Sequence, residues 1–127
     1  MCKANHYTYN IIHVKLEEHE TSRERSSAIF GNRYFADVVL AVDRLSGDDH
    51  ARVTMRMVAS DTTISDSLVR QVMERLHDAG LIAEEPRSGG PRSPRYFQVQ
   101  LGPLWTGVLA ACIASKGDSG AMSNPAK

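Results

Sequence analysis

The segment PRSGGPRSP, residues 86–94, limits the folds that are open to this chain. It holds three prolines and two glycines, and neither a helix nor a central strand continues through such a run, because proline lacks the amide hydrogen and glycine leaves the backbone free. An apolar stretch opens at Leu81 before the segment, and residues 96–101 alternate in polarity after it. The sequence therefore predicts two short strands that are joined by a proline-rich loop.

Three helices are predicted ahead of this hairpin. Residues 35–45 repeat apolar side chains at the spacing of one helical face, and a shorter repeat follows Thr54, a residue type favoured at helix N-caps. The third helix is expected to begin after Ser65 and to be capped by Gly80, since glycine readily adopts the conformation that ends many helices. A last helix is expected to start at Pro103, because proline suits the first helical turn.

This order of elements predicts a mainly α fold with a small β-wing, of the winged helix-turn-helix type with an extra terminal helix. We expect four parts: an N-terminal arm at 1–32, a winged helix-turn-helix domain at 33–101, an apolar helix at 102–116 and a disordered tail at 117–127. The arm would either be mobile or dock on a partner chain.

The composition mainly shows which classes of partner, location and activity are not expected. The chain carries 15 basic and 15 acidic residues, so any electrostatic argument about a partner has to be local. It begins without the apolar run of a signal peptide, and its longest apolar run, residues 104–114, is too short to cross a bilayer. We therefore expect a cytoplasmic protein without a membrane partner. None of the common catalytic or nucleotide-binding motifs occurs, so we expect no enzymatic activity.

The helix that follows Ser65 has two distinct faces at 100° per residue. Its apolar face is formed by Val69, Val72, Met73 and Leu76. Its outward face presents Ser67, Arg70, Gln71 and Glu74, with Leu68 on the flank. Arginine and glutamine match the acceptors and donors of guanine and adenine, and an apolar side chain can touch the thymine methyl group. We expect Ser67, Leu68, Arg70 and Gln71 to contact DNA bases; an ordinary solvated helix face is the alternative.

The loop and the start of the helix pair add candidate contacts to the DNA backbone and minor groove. Arg87, Arg92 and Arg95 give the loop a local charge of +3, with no acidic residue between Pro86 and Phe97. Arginine is favoured in a narrow minor groove, so we expect contacts from this wing, with a solvent-exposed loop as the alternative. Phosphate contacts are expected from Thr54, Arg56 and Thr63.

Residues 53–99 resemble the winged helix-turn-helix core of bacterial transcriptional regulators of the MarR and PadR type. The resemblance is carried by ERLHDAGLI, residues 74–82, and by PRSPRYFQV, residues 91–99. It implies dimeric, sequence-specific DNA binding, usually repression, which a small ligand or an oxidant relieves. The chain departs from these families after the wing, where LGPLWTG replaces their usual polar segment.

The last helix is apolar nearly all round, which predicts burial on more than one side. We expect a dimer interface formed by Leu104, Trp105, Val108, Leu109 and Cys112. The alternatives are that this helix packs on the first helix of its own chain, or that the N-terminal arm covers it.

Two further constellations remain. Cys2, His6, His13 and His19 lie close in sequence, but their spacing matches no tight zinc motif, so we expect no metal and no cofactor. Cys112 lies among apolar residues, which favours a small buried side chain over an oxidant sensor.

The sequence therefore predicts a homodimeric transcriptional regulator, a repressor that binds double-stranded DNA at an inverted repeat. One alternative is a winged-helix module that binds another protein instead of DNA. Another is a regulator that senses a small-molecule effector or a redox change.

Overall fold

The computed structural model describes residues 20–87 and 89–123. These form a mainly helical chain with one small two-stranded antiparallel sheet, as the sequence predicts. The elements are α1 at residues 20–30, α2 at Phe35–Ser46, α3 at Met55–Thr62, α4 at Asp66–Asp78, β1 at Ile82–Glu84, β2 at Phe97–Val99 and α5 at Pro103–Ser123.

The starts of α3 and α4 lie where the sequence predicts them. The side chain of Thr54 accepts a hydrogen bond from the amide of Met57 at 3.1 Å, which satisfies one of the free amides at the start of α3. Ser65 precedes α4 with an extended backbone, but its side chain makes no capping hydrogen bond. The carboxylate of Asp66 in the first turn favours this helix end through the helix dipole.

The hydrogen bonds at the end of α4 explain why the helix stops at Gly80 and a strand follows. The amide of Leu81 donates to the carbonyl of Leu76 at 2.9 Å, and the amide of Gly80 donates to the carbonyl of His77 at 3.0 Å. These two bonds form a Schellman motif, which requires the positive φ that Gly80 adopts, +80°. Leu76 and Leu81 are both buried and provide the apolar contact that accompanies this motif.

The sheet is shorter than predicted and gains a third backbone segment. Ile82 pairs with Val99 and Glu84 pairs with Phe97 in β1 and β2. On its other edge Phe97 exchanges two backbone hydrogen bonds with Val53, at 2.8 and 2.9 Å. The segment before α3 is therefore fixed to the hairpin, and this contact sets the position of the hairpin beside the helix pair.

Helix α5 packs on α2 of its own chain, which is one of the alternatives for the last helix. Trp105 and Cys112, predicted at a dimer interface, are instead buried in the chain's own core. The helix also continues beyond residue 116 to Ser123, where a tail is predicted. Residues 124–127 lie outside the described residues.

Helix α1 lies within the part of the chain that is predicted to be an arm. It is held by polar contacts, since Ser26 Oγ donates to the carbonyl of Asn32 at 2.7 Å and accepts from the amide of Ala36 at 3.1 Å. Arg23 on α1 and Lys116 on α5 both pair with the carboxylate of Asp37 on α2. The rest of the predicted arm, residues 1–19, lies outside the described residues.

Two glycine substitutions test the conformational role of Gly80. An added Cβ meets no atom within 4 Å at either Gly80 or Gly107, so neither change causes a clash. We expect Gly80→Ala to destabilise the fold by about 1 kcal/mol, because alanine disfavours positive φ. Gly107→Ala in α5 should stabilise it by about 0.5–1 kcal/mol through helix propensity. Denaturant unfolding of both variants checks this, and equal effects of the same sign would contradict it.

Candidate nucleic-acid interface

A cleft of about 540 Å³ lies between the start of α3, the outward face of α4 and the hairpin loop. Its walls are formed by Thr54, Met55, Arg56, Met57, Arg70, Arg87, Pro94, Arg95 and Tyr96. Five of these are predicted DNA contacts, although they come from distant parts of the sequence. The fold therefore brings together four arginine side chains that the sequence alone does not place near one another.

The two faces of α4 lie as the sequence predicts. Val69, Val72, Met73 and Leu76 are fully buried. Ser67, Arg70 and Gln71 are exposed. Leu68 is half-buried and packs against the core, so only part of its side chain is available to a partner. The exposed face of α4 thus offers two long polar side chains and one hydroxyl group beside the cleft.

Four arginines of α3, the outward face of α4 and the hairpin loop have no acidic partner among the described residues. Among the described residues, no carboxylate pairs with Arg56, Arg70 or Arg92. Arg87 Nη1 donates to the carbonyl of Pro91 at 2.9 Å, so this guanidinium bonds back to its own loop but forms no ion pair. Unpaired guanidinium groups keep donors available for phosphate or base acceptors.

Arg95 differs from the other loop arginines. Its Nε and Nη2 both donate to the carboxylate of Glu84 at 2.9 Å, and its Nη1 donates to Glu74 Oε2 at 2.9 Å. Its guanidinium also lies 5.2 Å from the centre of the Phe97 ring. The side chain is only 21% exposed. Arg95 therefore links α4 to the hairpin and is not extended from the loop as a wing contact would be.

These hydrogen bonds shift the ionisation of both carboxylates. The bonds from Arg95 lower the pKa of Glu74 and of Glu84 below the usual glutamate range. The same bonds raise the pKa of Arg95. All three groups are therefore charged at neutral pH, and both carboxylates are committed to Arg95.

A second arginine pair lies at the edge of the cleft. Arg52 Nη1 donates to Glu85 Oε1 at 3.0 Å, and the Arg52 guanidinium lies 4.5 Å from the centre of the Tyr96 ring. Sequence patterns do not predict Arg52, Met57 or Tyr96 as parts of this region. Their only signal is proximity to Thr54 or to the loop, because the bridge between Val53 and Phe97 is a tertiary contact.

The turn between α3 and α4 places Thr63 away from the cleft that holds Thr54 and Arg56. Thr63 is exposed and lines a second cleft of about 290 Å³, together with Arg44 and Lys116. Its φ of +60° is strained for a β-branched residue. The predicted phosphate contacts thus lie in two places, with two residues at the first cleft and one at the turn.

The predicted dimer residues also divide into two groups. Leu104 is 58% exposed, whereas Trp105 is 3% exposed and Cys112 is fully buried. Val108 and Leu109 are half-buried. Only Leu104 of the five predicted residues presents most of its side chain to solvent. Ile113, which the prediction omits, is 53% exposed on the same helix.

The burial of Cys112 is confirmed, and it explains the low reactivity expected of this thiol. Burial, with a smaller contribution from the carboxylate of Asp37, raises the pKa of Cys112 to about 12. Thiolate is the reactive form, so this environment opposes oxidation. Cys2, His6, His13 and His19, for which no metal is expected, lie outside the described residues. Within 20–87 and 89–123, no group of three or more side chains could hold a metal ion.

Comparison of the chain with protein-family models, curated proteins and solved structures gave no match. The MarR- and PadR-like assignment therefore stays a prediction from sequence motifs. Among the described helices, none is long and apolar enough to cross a membrane.

The lowered carboxylate pKa values predict an acid-dependent loss of stability. A group with a lowered folded-state pKa stabilises the fold above its unfolded pKa, about 4.3 for glutamate, and this contribution is lost as the pH falls through the folded value. Glu84→Gln should therefore lower the Tm by about 4 °C at pH 7, the shift for loss of about 1 kcal/mol. At about pH 2 the difference should vanish, because protonated glutamate resembles glutamine. Thermal melts check this, with Glu24→Gln on the exposed face of α1 as the control.

The environment of Cys112 predicts slow alkylation of the folded protein. In a Cys2→Ser variant, the remaining thiol should react with iodoacetamide at pH 8 at least about 100-fold more slowly in the folded than in the denatured state. Mass spectrometry follows the reaction. Rapid labelling of the folded protein would restore a redox role for this residue.

Proposed function

We propose that the protein binds double-stranded DNA in a sequence-specific manner and regulates transcription. In this proposal α3 and α4 form a helix-turn-helix with α4 as the recognition helix, and the β1–β2 hairpin is the wing of a winged helix related to MarR- and PadR-type regulators. The observation that carries the proposal is the cleft on which Arg56, Arg70 and Arg87 converge from three different elements. No described residue forms an ion pair with any of the three.

The exposed side chains of α4 suit the reading of bases. Arginine can donate two hydrogen bonds to guanine, and glutamine can donate to and accept from adenine. Arg70 and Gln71 are exposed in the N-terminal half of α4, the part of a recognition helix that meets base edges in the major groove. Ser67 and the exposed part of Leu68 would complete this contact. These four residues would supply specificity.

Affinity would come mainly from the surrounding arginines. Arg56 at the start of α3 and Arg87 and Arg92 in the loop are exposed, and phosphate contacts from such side chains dominate the salt-dependent part of DNA binding. Thr54 could still donate its hydroxyl hydrogen to a phosphate, because its oxygen acts only as an acceptor in the cap of α3. Arg95 is removed from the DNA contacts in this proposal, because both of its carboxylate partners hold it.

A homodimer acting as a repressor on an inverted repeat is the form of regulation that we propose. Leu104 and Ile113 leave an exposed apolar surface on α5, and most homo-oligomers of soluble proteins are two-fold dimers. Two recognition helices related in this way would meet major grooves about 34 Å apart. The cleft could also admit a small-molecule effector, since its volume of about 540 Å³ lies in the range of ligand pockets.

The main rival is a winged-helix module that binds another protein. Its support comes from acidic residues near the supposed DNA face. Three of these, Glu74, Glu84 and Glu85, are hydrogen-bonded to arginines. They therefore oppose a phosphate backbone less than their number indicates, and we favour DNA over a protein partner.

The test is selection from a random duplex library with the purified protein, followed by titration of the recovered site at two salt concentrations. We expect an inverted repeat. The logarithm of the affinity should fall with the logarithm of the salt concentration with a slope of about −3 per protomer, for three phosphates that three arginines neutralise. Failure to enrich any sequence, together with binding that salt does not affect, would exclude the proposal.

Substitution of Arg70 tests the recognition helix directly. Arg70→Ala should weaken binding to the selected site by about 1–3 kcal/mol and should relax the base preference at one position. Arg75→Ala is the matched control, because Arg75 lies on the same helix but points toward Gly31. A Cβ atom added at Gly31 would lie 3.3 Å from the guanidinium of Arg75. Binding assays on single-base variants of the site distinguish the two. Equal losses in both variants would mean that the outward face of α4 does not read bases.

A further inference from the structure

We propose that Arg95 is a positioning residue that fixes the hairpin against α4 through Glu74 and Glu84, and that this clamp sets the spacing between the loop arginines and the base-reading face. The clamp rests on the proposed function for its role in DNA recognition. Its geometry stands on the contacts of the described residues.

The clamp joins three elements through one planar group. Arg95 binds both carboxylate oxygens of Glu84 on β1, which fixes the plane of the guanidinium. The third donor reaches Glu74 on α4. The guanidinium also packs over Phe97, whose backbone is bonded to Val53 just before α3. One side chain thus ties the base of the hairpin to the recognition helix and to the start of the helix pair.

This contact has few substitutes. Among the described residues, the bond from Arg95 to Glu74 is the only side-chain hydrogen bond that joins α4 to the hairpin. The ring of His77 approaches Phe97 edge-on at 6.2 Å, which adds apolar contact but no directional bond. The loop beyond is exposed at Arg87 and Arg92. The orientation of the loop relative to α4 therefore depends on the clamp together with the backbone bridge between Val53 and Phe97.

The geometry of the clamp is of the kind in which ion pairs contribute measurably to stability. Isolated ion pairs on a protein surface contribute little, but bidentate and networked arginine pairs contribute more. The side chains of Arg95 and Glu84 are only 21% and 24% exposed. Lysine cannot reproduce the arrangement, because its single ammonium group lacks the planar fork that binds one carboxylate through two nitrogens.

The position of Glu74 links the clamp to base reading. Glu74 follows Arg70 by four residues, so the two side chains lie one above the other on α4. The contact that holds the hairpin therefore lies one helical turn from the side chain that would read guanine. A shift of the hairpin would change the distance from Arg70 to Arg87 across the cleft.

The experiment combines amide hydrogen exchange with DNA titration for Arg95→Lys, Glu74→Ala and Glu74→Gln. We expect Arg95→Lys and Glu74→Ala to speed exchange in strands 82–84 and 97–99 by about tenfold or more, while the amides of α2 keep their rates, since the opening is local. Glu74→Gln should speed exchange less than Glu74→Ala, because glutamine still accepts the hydrogen bond but carries no charge. Arg92→Met is the matched control, because Arg92 lies in the same loop outside the clamp, and we expect unchanged exchange.

The DNA titration separates positioning from charge. Arg95→Lys keeps the charge, so it should bind random duplexes like the original protein and lose about tenfold of its preference for the selected site. Arg92→Met should weaken binding to both duplexes and keep the preference. Strand exchange that is unchanged in Arg95→Lys and Glu74→Ala would overturn the clamp whatever the DNA result. Faster strand exchange in a protein that binds no duplex would support the clamp and reject the proposed function alone.

Discussion

Burial of one face of α2 is the constraint on which the other described elements depend. Val38, Val39 and Val42 have no exposed surface, and α3, α4, α5 and β2 all contact this helix. A fully buried valine contributes on the order of 1.5–3 kcal/mol through removal of apolar surface from water. The fixed angle between α3 and α4 follows from their shared packing on α2. The convergence of Arg56 and Arg70 on one cleft is therefore a consequence of the core and needs no contact between the arginines.

Local signals in the sequence are sufficient for α2, α3, α4, the start of α5 and the hairpin. Helical periodicity marks residues 35–45 and the buried face of α4, because each apolar position faces the same core. The end of α4 at Gly80 is also determined locally, since the Schellman motif spans only Leu76 to Leu81. Such features depend on neighbours within about one turn, and a single sequence contains all of that information.

Features that depend on distant residues could not be predicted in this way. The sequence shows that Arg95 contributes to the loop charge of +3. It does not show that Arg95 pairs with Glu74, which lies 21 residues away. Helix α1 has little apolar periodicity, and it is held by the polar contacts of Ser26 together with the stacking of Phe30 on Phe35. The apolar character of α5 predicts burial, yet it cannot say whether Trp105 is covered by a second chain or by α2.

This neutral chain has no excess of basic residues. Its cleft is basic because the acidic residues nearby are paired with arginines. Glu74 and Glu84 are bound by Arg95, and Glu85 is bound by Arg52, so Arg56, Arg70 and Arg87 face the cleft with no acidic partner among the described residues. A chain with no net charge attracts DNA weakly over long distances, since that attraction depends on the summed field of the protein. Discrimination between sites would then depend on short-range contacts, and these require a fixed geometry. The rigidity that Arg95 gives the hairpin therefore matters more here than it would in a strongly basic protein.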